Sequence, residues 1–136
     1  MLPSKKMLTL AAAKTIMAAA EAEAARNGWR VSIAIVDDGG FPLLLQRLDG
    51  ASPGSPAVAL GKARTAATFR RATKAMEDAV NNGRFAFVNA PDVVPLEGGL
   101  PIVVEGDTVG AIGVSGVKSS EDAAIGQAGI DALLAG

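Results

Sequence analysis

The sequence predicts an α+β fold in which helices cover the faces of an antiparallel sheet. Two short turn signals, Asp37–Gly40 and Glu105–Asp107, each separate two apolar runs, which is typical of β-hairpins. Two longer stretches, from Leu10 to about Asn27 and from Ser55 to about Arg70, repeat small or apolar residues every three or four positions, as helices do. Consecutive hairpins require antiparallel strands, and 136 residues favour one domain spanning 1–136.

The first helix carries both a start and a stop signal. Thr9 can cap its amino end, and Gly28 can end it after Asn27. Its apolar face consists of Leu10, Ala13, Met17, Ala20 and Ala24. Because that face is mostly alanine, we expect this helix to approach its neighbour closely.

The first hairpin follows this helix. Trp29–Val36 alternates in a way that points side chains to both faces of a sheet, and neither set is strongly polar, so we expect both faces to be covered. Phe41–Leu48 returns as the second strand after the Asp-Asp-Gly-Gly turn. Pro42 suits the start of a strand or an edge strand, because proline has no N–H to donate.

The middle of the chain is predicted to be mainly helical. Ser55 followed by Pro56 is a good helix start. Thr73 can cap a short third helix over Lys74–Val80. Arg84–Pro95 is apolar without a period, and we predict a loop that crosses the sheet, with room for one short strand.

The late hairpin is the most glycine-rich part of the chain. Its predicted strands are Leu100–Val104 and Val109–Val117, and the second contains Gly110, Gly113 and Gly116. Glycine weakens a strand unless another body must approach the backbone, and that body could be a packed helix, a partner chain or a ligand. The last predicted helix runs from Glu121 to about Leu134, with Ser119 and Asp122 as a capping box.

Composition excludes several classes of function. The net charge is −1, which gives no electrostatic basis for binding nucleic acid or an anionic membrane. The chain has no cysteine, histidine or tyrosine, so acid–base chemistry would fall to Asp, Glu, Lys or water. Lys5 and Lys6 before Met7–Ala13 resemble a signal peptide, but Lys14 interrupts the run, and we expect a cytoplasmic protein without a membrane span. The Ala- and Gly-rich helices bury little apolar area, so we expect a homo-oligomer.

Five segments carry a resemblance to a known family. They are Val36–Gly40, Arg47–Ala51, Lys62–Ala66, Glu97–Pro101 and Val109–Gly116. Together, in this order, they resemble the GlcG/HbpS family, also called the haem-degrading domain family, which includes the C-terminal domain of PduO-type cobalamin adenosyltransferases. The resemblance runs from about Leu8 to Leu134.

The resemblance implies a profilin-like sandwich with a five-stranded antiparallel sheet and helices on both faces. It also implies dimers that assemble further, often to octamers, and a small-ligand role, since several members bind haem or iron. Haem-binding members are thought to use a histidine ligand, which this chain lacks. Haem would therefore have to be held by Met, Lys or apolar contact.

Eight residues are predicted to bind the ligand. They are Arg47, Lys62, Thr65, Glu97, Gly98, Gly99, Pro101 and Ser115. Cations such as Arg47 and Lys62, together with Arg64, can clamp a carboxylate, and Gly-rich turns can bind anions through backbone N–H groups. The alternatives are surface charge that balances Asp38 or Asp49, an ordinary turn before the hairpin, and a Thr65 hydroxyl bonded to its own helix.

Four carboxylates of the predicted turns are a further group of candidate residues. Asp37, Asp38, Asp49 and Glu97 could form an oxygen-rich metal site, but aspartates in turns usually bond locally, so no metal site is predicted.

We first expect a binding protein that holds a carboxylate-bearing or tetrapyrrole ligand between the Gly-rich hairpin and the second helix. The alternatives are an enzyme acting on a small organic acid, with Glu97 or Asp37 as base and Lys62 or Arg47 holding the carboxylate, and an accessory structural subunit.

Overall fold

The structure is a computed structural model that describes residues 1–136. Four α-helices, four strands and one 3-10 helix follow one another along the chain. In order they are α1 Leu10–Asn27, β1 Ser32–Asp37, β2 Pro42–Arg47, α2 Ser55–Phe69, α3 Thr73–Asn81, the 3-10 helix Phe85–Asn89, β3 Gly99–Val104, β4 Asp107–Ser115 and α4 Ser119–Ala135. None of these helices combines the length and the apolarity that crossing a membrane requires.

The sheet is antiparallel throughout, with strand order β2-β1-β4-β3. It has four strands, so the expected fifth strand is wrong, although the α+β class and the helices on both faces are confirmed. The stretch with room for another strand makes local bonds instead, for example from Phe87 N to Arg84 O and from Ala90 N to Phe87 O. Pro91 and Pro95 lack the N–H groups that a ladder across this stretch would need.

The two faces of the sheet bury residues of very different size. Large residues face α1 and α4, where Ile33 and Ile35 of β1 meet Ile112 and Val114 of β4. The other face, against α2, is almost entirely alanine: Ala34, Val36, Ala59, Ala63, Ala66, Ala67 and Ala111. Because successive strand residues point to opposite faces, one alternating pattern produces both layers. The small residues let the backbone of α2 lie directly on the sheet.

Gly113 shows how close this approach is. A Cβ atom there would overlap the carbonyl oxygen of Ala59 and lie 2.5 Å from the backbone nitrogen of Ala63. Gly99 is covered in the same way by the carbonyl of Lys62. Of the late-hairpin glycines for which an approaching body was expected, only Gly113 is met by a packed helix of the same chain. Gly110 is met by Val36 and Leu8, and Gly116 by Arg30 and Val31.

Some predicted helix caps form as expected, whereas other predicted cap residues bond to partners far away in the sequence. Thr9 Oγ1 accepts a bond from Ala12 N at 3.1 Å, and Gly28 has φ 68°, so both predicted ends of α1 are confirmed. Thr73 is not a cap, because its hydroxyl accepts from Gly99 N at 2.9 Å and so joins α3 to β3. The predicted box of Ser119 and Asp122 is also wrong, because Asp122 turns into the interior.

Candidate functional site

Lys62 is the enclosed charged residue among those predicted to bind ligand. Its ammonium donates to the carbonyl oxygen of Val114 at 2.8 Å and to Asp122 Oδ2 at 3.2 Å. The two charged side chains are only 3% and 2% exposed. A Cβ atom on Gly98 would lie 2.7 Å from the ammonium nitrogen, so the missing side chain makes room for the lysine.

The ion pair joins helices that lie on opposite faces of the sheet. Lys62 belongs to α2, and Asp122 lies in the first turn of α4, where its Oδ1 also accepts from Val117 N at 3.2 Å. Burial raises the pKa of the Asp122 carboxyl, although the neighbouring Lys62 ammonium and the backbone N–H groups act in the opposite direction. With both partners satisfied inside the chain, the Lys62 ammonium has no face open to solvent.

Several of the other predicted residues lie near Lys62. Gly98 accepts a backbone bond from Val114 N at 3.0 Å, and Gly99 pairs with Gly113. Glu97, Pro101 and Ser115 are half-buried around this end of β3 and β4. Six of the eight predicted residues, including Lys62, therefore lie close together, but the ion pair between Lys62 and Asp122 lies at the centre of this group.

Arg47 lies apart from this group. It pairs with Ser32 on β1, and Ser32 pairs in turn with Ser115 on β4, so Arg47 and Ser115 are two strands, or roughly 10 Å, apart. Its Nε donates to the carbonyl oxygen of Ala51 at 3.0 Å. The arrangement does not bring Arg47 and Lys62 together as one anion clamp.

The residues of the enzyme hypothesis are also separated. Asp37 Oδ1 accepts from Gly39 N at 2.9 Å and from Phe41 N at 3.0 Å, so this carboxylate closes the β1–β2 turn. Asp37 pairs with Gly110, whereas Glu97 precedes the Gly99–Gly113 pair near the other end of the sheet. No group of three or more metal-binding side chains comes together.

Thr65 leads to a groove that the sequence did not predict. Its hydroxyl donates to Gly61 O at 2.8 Å, as one alternative expected, and also accepts from Val94 N at 2.9 Å. A Cβ atom on Gly61 would lie 2.5 Å from Val94 Cγ2. These contacts hold the chain near Val94 against α2, and an open groove lies between the two.

This groove has a volume of about 450 Å³ and mainly apolar walls. It is lined by Ala57, Leu60, Gly61, Arg64, Val88, Ala90, Asp92, Val93 and Val94. Arg64 and Asp92 are its only charged residues, and neither forms an ion pair within 4.0 Å. The sequence signals that could have found the groove were Arg64, already considered as an anion clamp, and the apolar character of a predicted loop.

The residues present do not fit a haem whose iron is ligated by the chain. There is no imidazole, and the charged residues of the groove, an arginine and an aspartate, are not the usual axial donors. Met17 and Met76 are enclosed in the core, and the Lys62 ammonium is committed to Asp122. Exposed Met7 borders an apolar cavity of only about 140 Å³, below the roughly 300–1,000 Å³ of ordinary ligand pockets.

Comparison with known sequences supports the expected resemblance. A family model described as "Haem degrading protein HbpS-like" matches residues 8–131. The chain is 51% identical over 112 residues to Protein GlcG of Escherichia coli strain K12, a match that covers 82% of this chain and 84% of that protein.

Solved structures agree with the sequence matches. The fold is similar to that of protein ORFY of Klebsiella pneumoniae, with a TM-score of 0.89 and 33% identity over 99% of this chain and 97% of that one. It is also similar to PduOC in its haem complex, with a TM-score of 0.86 and 27% identity over 93% of this chain and 95% of that one. These matches confirm the resemblance inferred from the five segments.

Proposed function

We propose that this chain, which belongs to the HbpS-like family, binds a small carboxylate-bearing molecule in the groove between α2 and residues 88–94. The observation that carries the proposal is Arg64, a guanidinium without a counter-ion beside the apolar walls formed by Leu60 and Val94. Guanidinium groups bind carboxylates through two parallel hydrogen bonds, and the walls can cover an aliphatic body. The groove's volume of about 450 Å³ is sufficient for such a ligand.

The residues predicted from the sequence have supporting parts in this proposal. Thr65 holds the wall near Val94 in place, and Lys62 fixes α2 to the sheet and to α4. The segment Glu97–Pro101 and Ser115 shape the sheet end on which α2 rests. Arg47 lies outside the groove, and the proposal gives it no contact with the ligand.

A tetrapyrrole is the larger form of the same ligand class, since haem carries two propionates. PduOC has been solved with haem, but this chain would have to hold the macrocycle without imidazole. We favour a small carboxylate for this chain, because Arg64 supplies an anion partner whereas no side chain at the groove supplies an iron ligand.

We also propose that the chain self-associates through its exposed 85–96 segment. Phe85 is 67% exposed and Leu96 42%, and neither residue lines the groove. Apolar side chains that are exposed together usually mark an interaction surface. A second copy of this chain is the partner we propose, in line with the homo-oligomer expected from the Ala- and Gly-rich helices.

Isothermal titration with short aliphatic carboxylates such as isocaproate tests the ligand site. We expect saturable binding that weakens by about tenfold or more in Arg64→Gln, because a charged hydrogen-bond partner is lost. Arg71→Gln is the matched control, since Arg71 is exposed but does not line the groove. Equal binding by the two variants would remove Arg64 from the site. A haemin titration followed by absorbance tests the tetrapyrrole form, for which we expect no saturable shift.

Light scattering coupled to size exclusion tests the self-association surface. Phe85→Ser should reduce the subunit number, because it removes an apolar anchor. Phe41→Ser is the control: Phe41 is 68% exposed, almost the same as Phe85, but lies at the β1–β2 turn. If both variants keep the wild-type mass, or if Phe41→Ser alone reduces it, the 85–96 segment is not the interface.

A further inference from the structure

The groove carries two opposite charges, both on exposed residues, that form no ion pair with each other. Arg64 comes from α2 and Asp92 from the facing segment, yet no ion pair within 4.0 Å joins them or ties either one to another residue. All seven other lining residues are Ala, Gly, Leu or Val. A groove built only for an anion would be better served by Arg64 alone, because a nearby carboxylate repels the ligand's own carboxylate.

Asp92 is held in place by its backbone. Its φ is 57°, in the left-handed region that most residues avoid, and its carbonyl oxygen lies 3.4 Å from the Thr65 hydroxyl. Two residues further on, Val94 N donates to the same hydroxyl at 2.9 Å. The segment that carries the carboxylate is thus attached to α2, the helix that carries Arg64.

From this juxtaposition we infer that the ligand is a zwitterion with an aliphatic body, that is, an amino acid or a close analogue. Arg64 takes its carboxylate, Asp92 takes its ammonium, and apolar residues such as Leu60, Val88 and Val93 cover the body between them. The inference rests on the proposed function of the groove and adds the ammonium. A ligand with only one of the two charges leaves the opposite groove charge to be hydrated by water alone.

Three ligands of matched shape test the inference. Leucine has both charges, isocaproate lacks the ammonium, and isopentylamine lacks the carboxylate. In isothermal titrations of the full chain we expect leucine to bind about tenfold or more tightly than either analogue, since each loses one charge-assisted contact. Isocaproate binding as tightly as leucine would overturn the inference while leaving the proposed function intact.

Two variants assign the charges to their partners. Asp92→Asn should weaken leucine by about tenfold and leave isocaproate unchanged, whereas Arg64→Gln should weaken both. Asparagine tolerates the left-handed backbone, so Asp92→Asn removes the charge without new strain. Asp49→Asn is the control, because Asp49 is an exposed carboxylate in a turn at the opposite sheet edge.

Three outcomes are decisive. An unchanged affinity for leucine in Asp92→Asn overturns the zwitterion. The proposed function is overturned as well if none of the three ligands binds and if no other short aliphatic carboxylate binds less tightly to Arg64→Gln than to wild type. A change of subunit number in Asp92→Asn or Arg64→Gln, without saturable binding, would instead assign the two charges to the contact between copies.

Discussion

The buried pair of Lys62 and Asp122 allows a stability effect to be predicted from the structure. Lys62→Met leaves the Asp122 carboxyl with backbone donors only and leaves the Val114 carbonyl oxygen without its donor at 2.8 Å. Asp122→Asn leaves the ammonium buried without a counter-ion. Removing one partner of a buried pair costs about 3–5 kcal/mol of unfolding free energy. That is a large part of the roughly 5–15 kcal/mol available to a domain.

Urea unfolding followed by circular dichroism measures the effect as a double-mutant cycle. The double variant Lys62→Met/Asp122→Asn should lose less than the sum of the single losses, with a coupling energy of about 2 kcal/mol, because no lone charge stays buried. The control is Lys74→Met: its partner Asp78 is 2.8 Å away, but both side chains are more than half exposed, at 57% and 51%. Its loss should leave stability nearly unchanged, since solvent screens the pair.

Two results would refute this reasoning. One is a cost below about 1 kcal/mol for either single variant, which would mean that water reaches the pair. The other is additivity of the two single losses within about 0.5 kcal/mol, which would mean that the two side chains do not act on each other.

Three further predictions concern packing, the groove wall and pH. Gly113→Ala should lower the unfolding free energy by about 3 kcal/mol, because a Cβ atom there has no space. The control Gly54→Ala, at a position that faces open space, should lower it by under about 1 kcal/mol. Equal losses of stability in thermal melts would contradict the packing. Thr65→Val should lower the unfolding free energy by about 1–3 kcal/mol and speed hydrogen exchange of the Val94 amide, which loses its acceptor. Unchanged exchange at Val94 would show that this bond does not hold the groove wall. Burial raises the pKa of Asp122 above its ordinary 3.8, so in the pH range between the unfolded and the folded pKa the folded chain binds a proton that the unfolded chain has released, and the ion pair with Lys62 is fully formed only above that range. The stability advantage of wild type over Asp122→Asn should therefore fall as pH rises above about 4, and a constant or rising difference in urea titrations would contradict the sign.

Local signals predicted most of the elements correctly. The ends of α1 follow from Thr9 and Gly28, which act within a few residues of themselves, and both hairpins follow from their turns. Thr73 and Asp122 were predicted as caps and are not, because each has a partner distant in sequence that satisfies it better. Thr73 bonds Gly99, 26 residues away, and Asp122 bonds Lys62, 60 residues away.

The candidate site could be predicted only in part. Lys62, Thr65 and the Glu97–Pro101 segment lie in or near α2, because motifs on neighbouring elements come together once the sheet forms, while their binding of a ligand stays a prediction. The groove was missed because one wall belongs to a segment without periodicity. Its position depends on the Thr65 hydroxyl, which accepts from Val94 N and contacts the Asp92 carbonyl, and on the absence of a side chain at Gly61.

The order of helices and strands, the small-residue layer and the absence of histidine were all determined by the sequence itself, because each depends on residue type and short-range spacing. Tertiary structure decided that Lys62 is buried, that α2 packs on Gly113 of β4, and that Arg64 and Asp92 line one groove. The physical reason is distance along the chain. A buried charge is stable only where another element supplies the counter-charge, and no local sequence pattern specifies which element that will be.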